Sequence, residues 1–148
     1  MPNRRLLTTL VLFAALGATA SAQQARRHIE PRSATDPGAP FSGAVLVGDT
    51  LYLSGSIGID ANQKVPDTAE AEATAVLTSI RTTLEQAGMT MDDLVYVQIF
   101  CTDVANYAAF NKVYRTFFTK EFPARAFIGS GPLLFGARFE VQGIAVKR

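Results

Sequence analysis

Apolar positions along this chain change their period several times, and each change marks an element. "GAVLVGDTLYLSG" divides into two β-rich runs, residues 44–47 and 50–54, about Gly48-Asp49, a pair suited to the positive φ angles of a two-residue hairpin turn. After a turn-rich "SIGIDANQKVPD", apolar side chains at Ala69, Ala73, Val76, Leu77, Ile80, Leu84 and Ala87 step by three and four. That spacing predicts an amphipathic helix, with Asp67 and Glu70 as its capping box and Gly88 as its stop. A β-branched and aromatic run predicts a strand over 94–102. A second helix follows over 107–118, capped by Asn106, with Phe110, Val113, Tyr114 and Phe117 on its inward face and Pro123 barring its continuation.

Two further strands, 126–130 and 137–146, flank the turn "GPLLFG". The order ββαβαββ favours an α+β fold in which both helices cover one face of a single sheet. The other face of a chain so rich in Val, Leu, Ile and Phe would be left apolar and bare. A closed homo-oligomer, with sheet faces or edges turned toward one another, is the expectation.

The N-terminus does not share this pattern. "MPNRR" is a short basic start, "LLTTLVLFAALGA" an apolar run too short for a comfortable membrane span, and "ASA" a small-residue ending. Together they predict a signal peptide over residues 1–22, cut after Ala22, so an exported protein, periplasmic or secreted, with no membrane anchor after cleavage. Residues 23–40, mixed in charge, Pro and Gly, are expected to be a flexible leader, and the domain proper to span 41–148.

Charge and special residues then narrow the chemistry. The full chain carries 14 basic and 13 acidic residues, and loss of Arg4 and Arg5 with the signal peptide would leave 12 against 13. Neither balance gives a nucleic-acid footprint. With one cysteine, Cys101, there is no internal disulfide, and its expected role is that of a small buried hydrophobe. The single histidine, His28, falls in the leader, so the fold has no His/Cys metal cluster and no Ser-His-Asp or Cys-His arrangement. No phosphate loop is present either, and no metal or cofactor is expected.

What remains is a pair of charges in the most hydrophobic segment, "FPARAFIGSGPLLFGARFEVQGIAV". If the last two strands form a hairpin turning at Pro132-Leu133, Arg125 lies opposite Glu140; if all of "GPLLFG" is loop, Arg125 faces Gln142, with Glu140 on the diagonal. Both registers keep the pair on one face. An exposed ion pair worth roughly 0 to 1 kcal/mol is the simpler reading of that spacing, and Arg138 could serve it equally well. In the functional reading the guanidinium grips a carboxylate through two parallel hydrogen bonds, and the glutamate holds and polarises a water.

"SGSIGID", "LEQAGMTMDDLVYVQIFCTDVANYAAFNKVYRTFF" and "PARAFIGSGPLLFGARFEVQGIAV" resemble, in order and spacing, the Rid family of YjgF-type reactive-intermediate deaminases, over about residues 41 to 147. The resemblance implies a chorismate-mutase-like fold, a homotrimer with small-molecule clefts between adjacent subunits, and cofactor-free hydrolysis of imines and enamines to 2-oxo acids and ammonia. It implies that Arg125 binds the substrate carboxylate and that Glu140 orients the attacking water. Ser54 and Gly55 would line the pocket, and Asn111, with Tyr114 nearby, would either touch the ligand or pack a helix into the trimer. Two departures bear on the substrate. Phe41 stands where such hydrolases have a tyrosine, and Phe127 stands where they carry a small side chain, which implies a smaller, more apolar pocket. The alternative is a trimeric protein that binds a carboxylate ligand without turnover, or a stress-protective one that holds unfolded clients.

Overall fold

The computed structural model describes residues 25–29, 40–60 and 62–148. The expected signal peptide, its cleavage point and most of the leader lie outside them. One stretch of that leader is ordered into the sheet: β1 (Arg26–Ile29) pairs antiparallel with β2 (Ala44–Val47), so the fold begins before Phe41. His28, expected in the flexible leader, stands exposed on this strand with Nδ1 2.9 Å from the Ser42 hydroxyl.

The turn forms at Gly48-Asp49 as predicted, although of the two only Gly48 takes a positive φ. Gly48 has φ of 57°, open to a residue without Cβ, and the chain returns as β3 (Thr50–Ile57) with Val47 opposite Thr50. β3 runs past its expected end, because "SGSI" continues the strand through a bulge between Leu53 and Ser56 instead of bending away. The first helix, α1 (Ala69–Gln86), buries Ala73, Val76, Leu77, Ile80 and Leu84 as its spacing requires. Its cap is Thr68, whose hydroxyl accepts from the Ala71 N–H, and not the expected Asp67 box. Gly88, at φ of 74°, ends it.

β4 (Leu94–Cys101) leads through a turn capped by Asp103, not Asn106, into α2 (Tyr107–Tyr114), which stops earlier than expected in a 3-10 turn over Arg115–Phe117. β5 (Ala124–Gly129) and β6 (Phe139–Val146) complete a six-stranded sheet of order β1-β2-β3-β6-β4-β5. Both helices pack on one face, with Phe110, Phe139, Leu51, Leu77 and Ile99 among the fully buried side chains between the layers. Cys101 is fully buried, as expected, and its thiol donates to the Asp103 carbonyl at 3.0 Å.

β5 and β6 do not form a hairpin. β6 inserts between β3 and β4, and β5 lies parallel to β4 at the sheet edge, with α2 as the crossover. This corrects both registers considered for Arg125 and Glu140. Arg125 sits beside Val97 of β4 and Glu140 beside Phe100, three residues along, so the two side chains leave opposite faces of the sheet. Arg125 is on the helix side. Glu140 is on the open side, with Tyr52, Ile144, Tyr96, Phe100 and Ile57, and no part of the described chain packs a second layer over them.

Candidate active site

The predicted residues gather into two clusters. The first joins β5 to α2. Arg125 and Phe127 alternate onto the helix-facing side of β5, and α2 meets them with Tyr107, Asn111 and Tyr114, spaced four and three apart on one face. Arg125 Nη1 donates to Asn111 Oδ1 at 2.7 Å, and the guanidinium lies 4.8 Å from the Tyr114 ring centre and 5.8 Å from that of Tyr107. Asn111 thus spends its carbonyl on orienting the guanidinium. The other N–H donors of Arg125 have no partner among the described residues, which leaves enough of the fork to grip a carboxylate.

Tyr114 is 3% exposed, and burial pushes its phenol up to about 12, with the Arg125 charge pulling the other way. It stays neutral and supports Arg125 from behind. Its hydroxyl is buried with no hydrogen-bond partner among the described residues. Phe127 folds inward against α2, edge-on to Tyr107 at 5.0 Å and to Phe110 at 5.7 Å, and is partly buried against the core. The half-exposed aromatic surface beside Arg125 therefore belongs to Tyr107, whose four-residue step to Asn111 was the sequence signal for it.

The second cluster joins β3 to β6. A Cβ placed on Gly55 would fall 2.1 Å from Glu140 Oε1, so the carboxylate occupies a slot that exists because residue 55 is glycine. Glu140 has no hydrogen-bond or ion-pair partner among the described residues. Arg138, considered as its partner, turns instead to Glu72 at 2.8 Å. Ser54, beside Gly55 in the bulge, donates its hydroxyl to the Ser42 carbonyl at 2.6 Å and so ties β3 to the segment that carries the exposed Phe41. One cluster can hold an anion and the other can take a proton. Within one chain β4 and the sheet itself stand between them.

Among the described residues no group of three or more His, Cys, Asp and Glu side chains could hold a metal ion. Burial raises the Cys101 thiol, which disfavours the thiolate.

A family profile described as "Endoribonuclease L-PSP" matches residues 31–147. A protein of Dermatophagoides farinae named 2-iminobutanoate/2-iminopropanoate deaminase is 37% identical over 123 residues, spanning 82% of this chain and 96% of the relative. A protein of the same name from Capra hircus is also 37% identical, over 82% of this chain and 90% of its own. The crystal structure of the YjgF gene product from E. coli superposes with a TM-score of 0.76 at 28% identity, covering 82% of this chain and 99% of that one.

Proposed function

Because this chain belongs to the endoribonuclease L-PSP family, to which the Rid and YjgF proteins it matches point, we propose that it hydrolyses imines and enamines of 2-amino acids to 2-oxo acids and ammonia. The observation that carries this reading is Arg125: a guanidinium oriented by Asn111 and Tyr114, with donors to spare, is a carboxylate clamp. The deaminase names of relatives at 37% identity support it.

A protonated imine is already electrophilic, so the protein need supply only anchoring, a placed water and exclusion of bulk solvent. Arg125 holds the substrate carboxylate. Glu140 takes a proton from water as its oxygen bonds to the imine carbon. Glu140 returns that proton to the carbinolamine nitrogen, then takes the hydroxyl proton as the C–N bond breaks and the C=O forms, leaving ammonia, which carries off the proton, and the 2-oxo acid. No external oxidant or cofactor enters the balance.

Arg125 and Glu140 leave opposite faces of one sheet, so a shared site draws Arg125, Asn111 and Phe127 from one copy and Glu140, Gly55, Ser54 and Phe41 from its neighbour in a homotrimer. The bare apolar face around Tyr52 and Ile144 supports such an assembly. In this reading the N-terminal segment directs export, and the substrate is an imine arising outside the cytoplasm. RNA cleavage gets no support from a formal net charge of +1 on 148 residues.

The test is ammonia release from imines generated in situ by an amino-acid oxidase. Acceleration over buffer that Arg125→Ala abolishes is the expected result. No acceleration with any of several amino acids, or an unchanged rate in the variant, overturns the proposal; Arg125-dependent thermal stabilisation by a 2-oxo acid without turnover would replace it with a binding role.

A further inference from the structure

Glu72 is a fully buried carboxylate that the proposed reaction does not use. Its Oε1 accepts from the backbone N–H of Arg138 at 2.6 Å and of Phe139 at 2.9 Å, and its Oε2 accepts from the Arg138 guanidinium at 2.8 Å. The same guanidinium donates to the carbonyls of Pro66 and Asp67, each at 2.9 Å, on the approach to α1. Glu72 thereby fastens the first turn of α1 to the two residues directly ahead of Glu140. Gly58, just past β3, closes against the same point: a Cβ there would fall 2.4 Å from the Glu72 carbonyl oxygen and 2.7 Å from its Cγ.

The ladder by itself is weak where Glu140 needs it. Beyond the β3 bulge only the pairs Ser56–Val141 and Ile57–Glu140 continue the β3 to β6 register. β4 holds β6 on its other side, but the Gly55 slot that receives the carboxylate is on the β3 side. A catalytic group must be held within about 0.5 Å, which takes supporting hydrogen bonds as well as strand pairing. Burying a carboxylate carries a desolvation cost that its partners must offset, so an apolar side chain would serve stability as well. The backbone bonds to residues 138 and 139 are what an apolar side chain could not supply.

We propose that Glu72 is a positioning residue for Glu140, setting the start of β6 against β3 so that the Glu140 carboxylate stays in the Gly55 slot. The proposal rests on the role given to Glu140 above. It requires reach, not charge: the carboxyl-side oxygen must span to two backbone N–H groups. Glu72→Gln keeps that reach without the charge, and Glu72→Asp keeps the charge but retracts it by one methylene.

With rates normalised to folded protein, Glu72→Asp lowers kcat about tenfold with KM within about twofold of wild type, and Glu72→Gln stays within about threefold. In a Glu140→Gln background, Glu72→Asp adds no further loss. Equal losses for Asp and Gln, or the same factor lost with and without Glu140, overturn the positioning role while leaving the deaminase reading intact. If Glu140→Gln alone leaves kcat unchanged, both fall. A readout independent of turnover is the crystal structure of each variant, in which the Glu140 carboxylate leaves the Gly55 slot in Glu72→Asp and stays there in Glu72→Gln; a carboxylate unmoved in both overturns the proposal whatever the activity.

Discussion

At Arg125 the geometry of the charge matters more than its sign. A planar fork held by Asn111 and the Tyr114 ring cannot be reproduced by an ammonium, so Arg125→Lys should lower kcat/KM for a 2-imino acid about a hundredfold, read by steady-state ammonia release. Gly55→Ala makes the complementary test on the other cluster. Its new methyl displaces the Glu140 carboxylate, so kcat falls while carboxylate binding, measured by ligand-induced thermal stabilisation, is kept. Tyr114 sits between packing and ligand contact in the sequence, and its burial favours packing. Removing a buried hydroxyl that has no partner among the described residues relieves a desolvation cost, so Tyr114→Phe should raise stability by about 1 kcal/mol in urea unfolding and leave kcat unchanged.

At the scale of elements, one carboxylate fixes how α2 hands the chain to β5. Asp92, in the turn ahead of β4, accepts from the Thr119 hydroxyl, from the Thr119 N–H at 2.9 Å and from the Lys120 N–H at 3.3 Å. The Thr119 hydroxyl, foremost among these bonds, holds Asp92 below its ordinary value. A carboxyl depressed by folding adds stability that is fully present above its unfolded pKa and is lost as pH falls through the lower folded one. Asp92→Asn should therefore lower Tm at neutral pH, with the deficit vanishing in acid, as thermal melts across pH would show. The periodic elements were legible because their cues are local: the Gly48 turn, the α1 stripe and the β4 run all act within a few residues. The path of β5 was not. Nothing between Ser130 and Arg138 announces that β6 crosses over to lie between β3 and β4, since that choice is made by burial of Phe139 and Val141 against distant helices. For the same reason the candidate site residues could be proposed from a motif, while their separation onto two faces could not, and Glu72, silent in the sequence, is visible only as a tertiary contact.

At the scale of the whole molecule, the proposed sharing of the site between copies would make activity a property of the assembly. Mixing Arg125→Ala chains with Glu140→Gln chains, each strongly impaired alone, should restore about a quarter of wild-type activity, the share of random interfaces that pair two intact half-sites. A site contained in one chain would restore none. Ile144→Asp, placed on the bare face between Tyr52 and Tyr96, should yield folded monomers without activity by sedimentation and circular dichroism. Cys101 adds a different consequence. Sealed at the end of β4 with its thiol held to the Asp103 carbonyl, it meets a soluble alkylating reagent only when that corner of the sheet comes apart. The chain's single sulfhydryl is thus a stopwatch for opening: its modification rate under native conditions counts how often the β4 end lets go, with no engineered label needed.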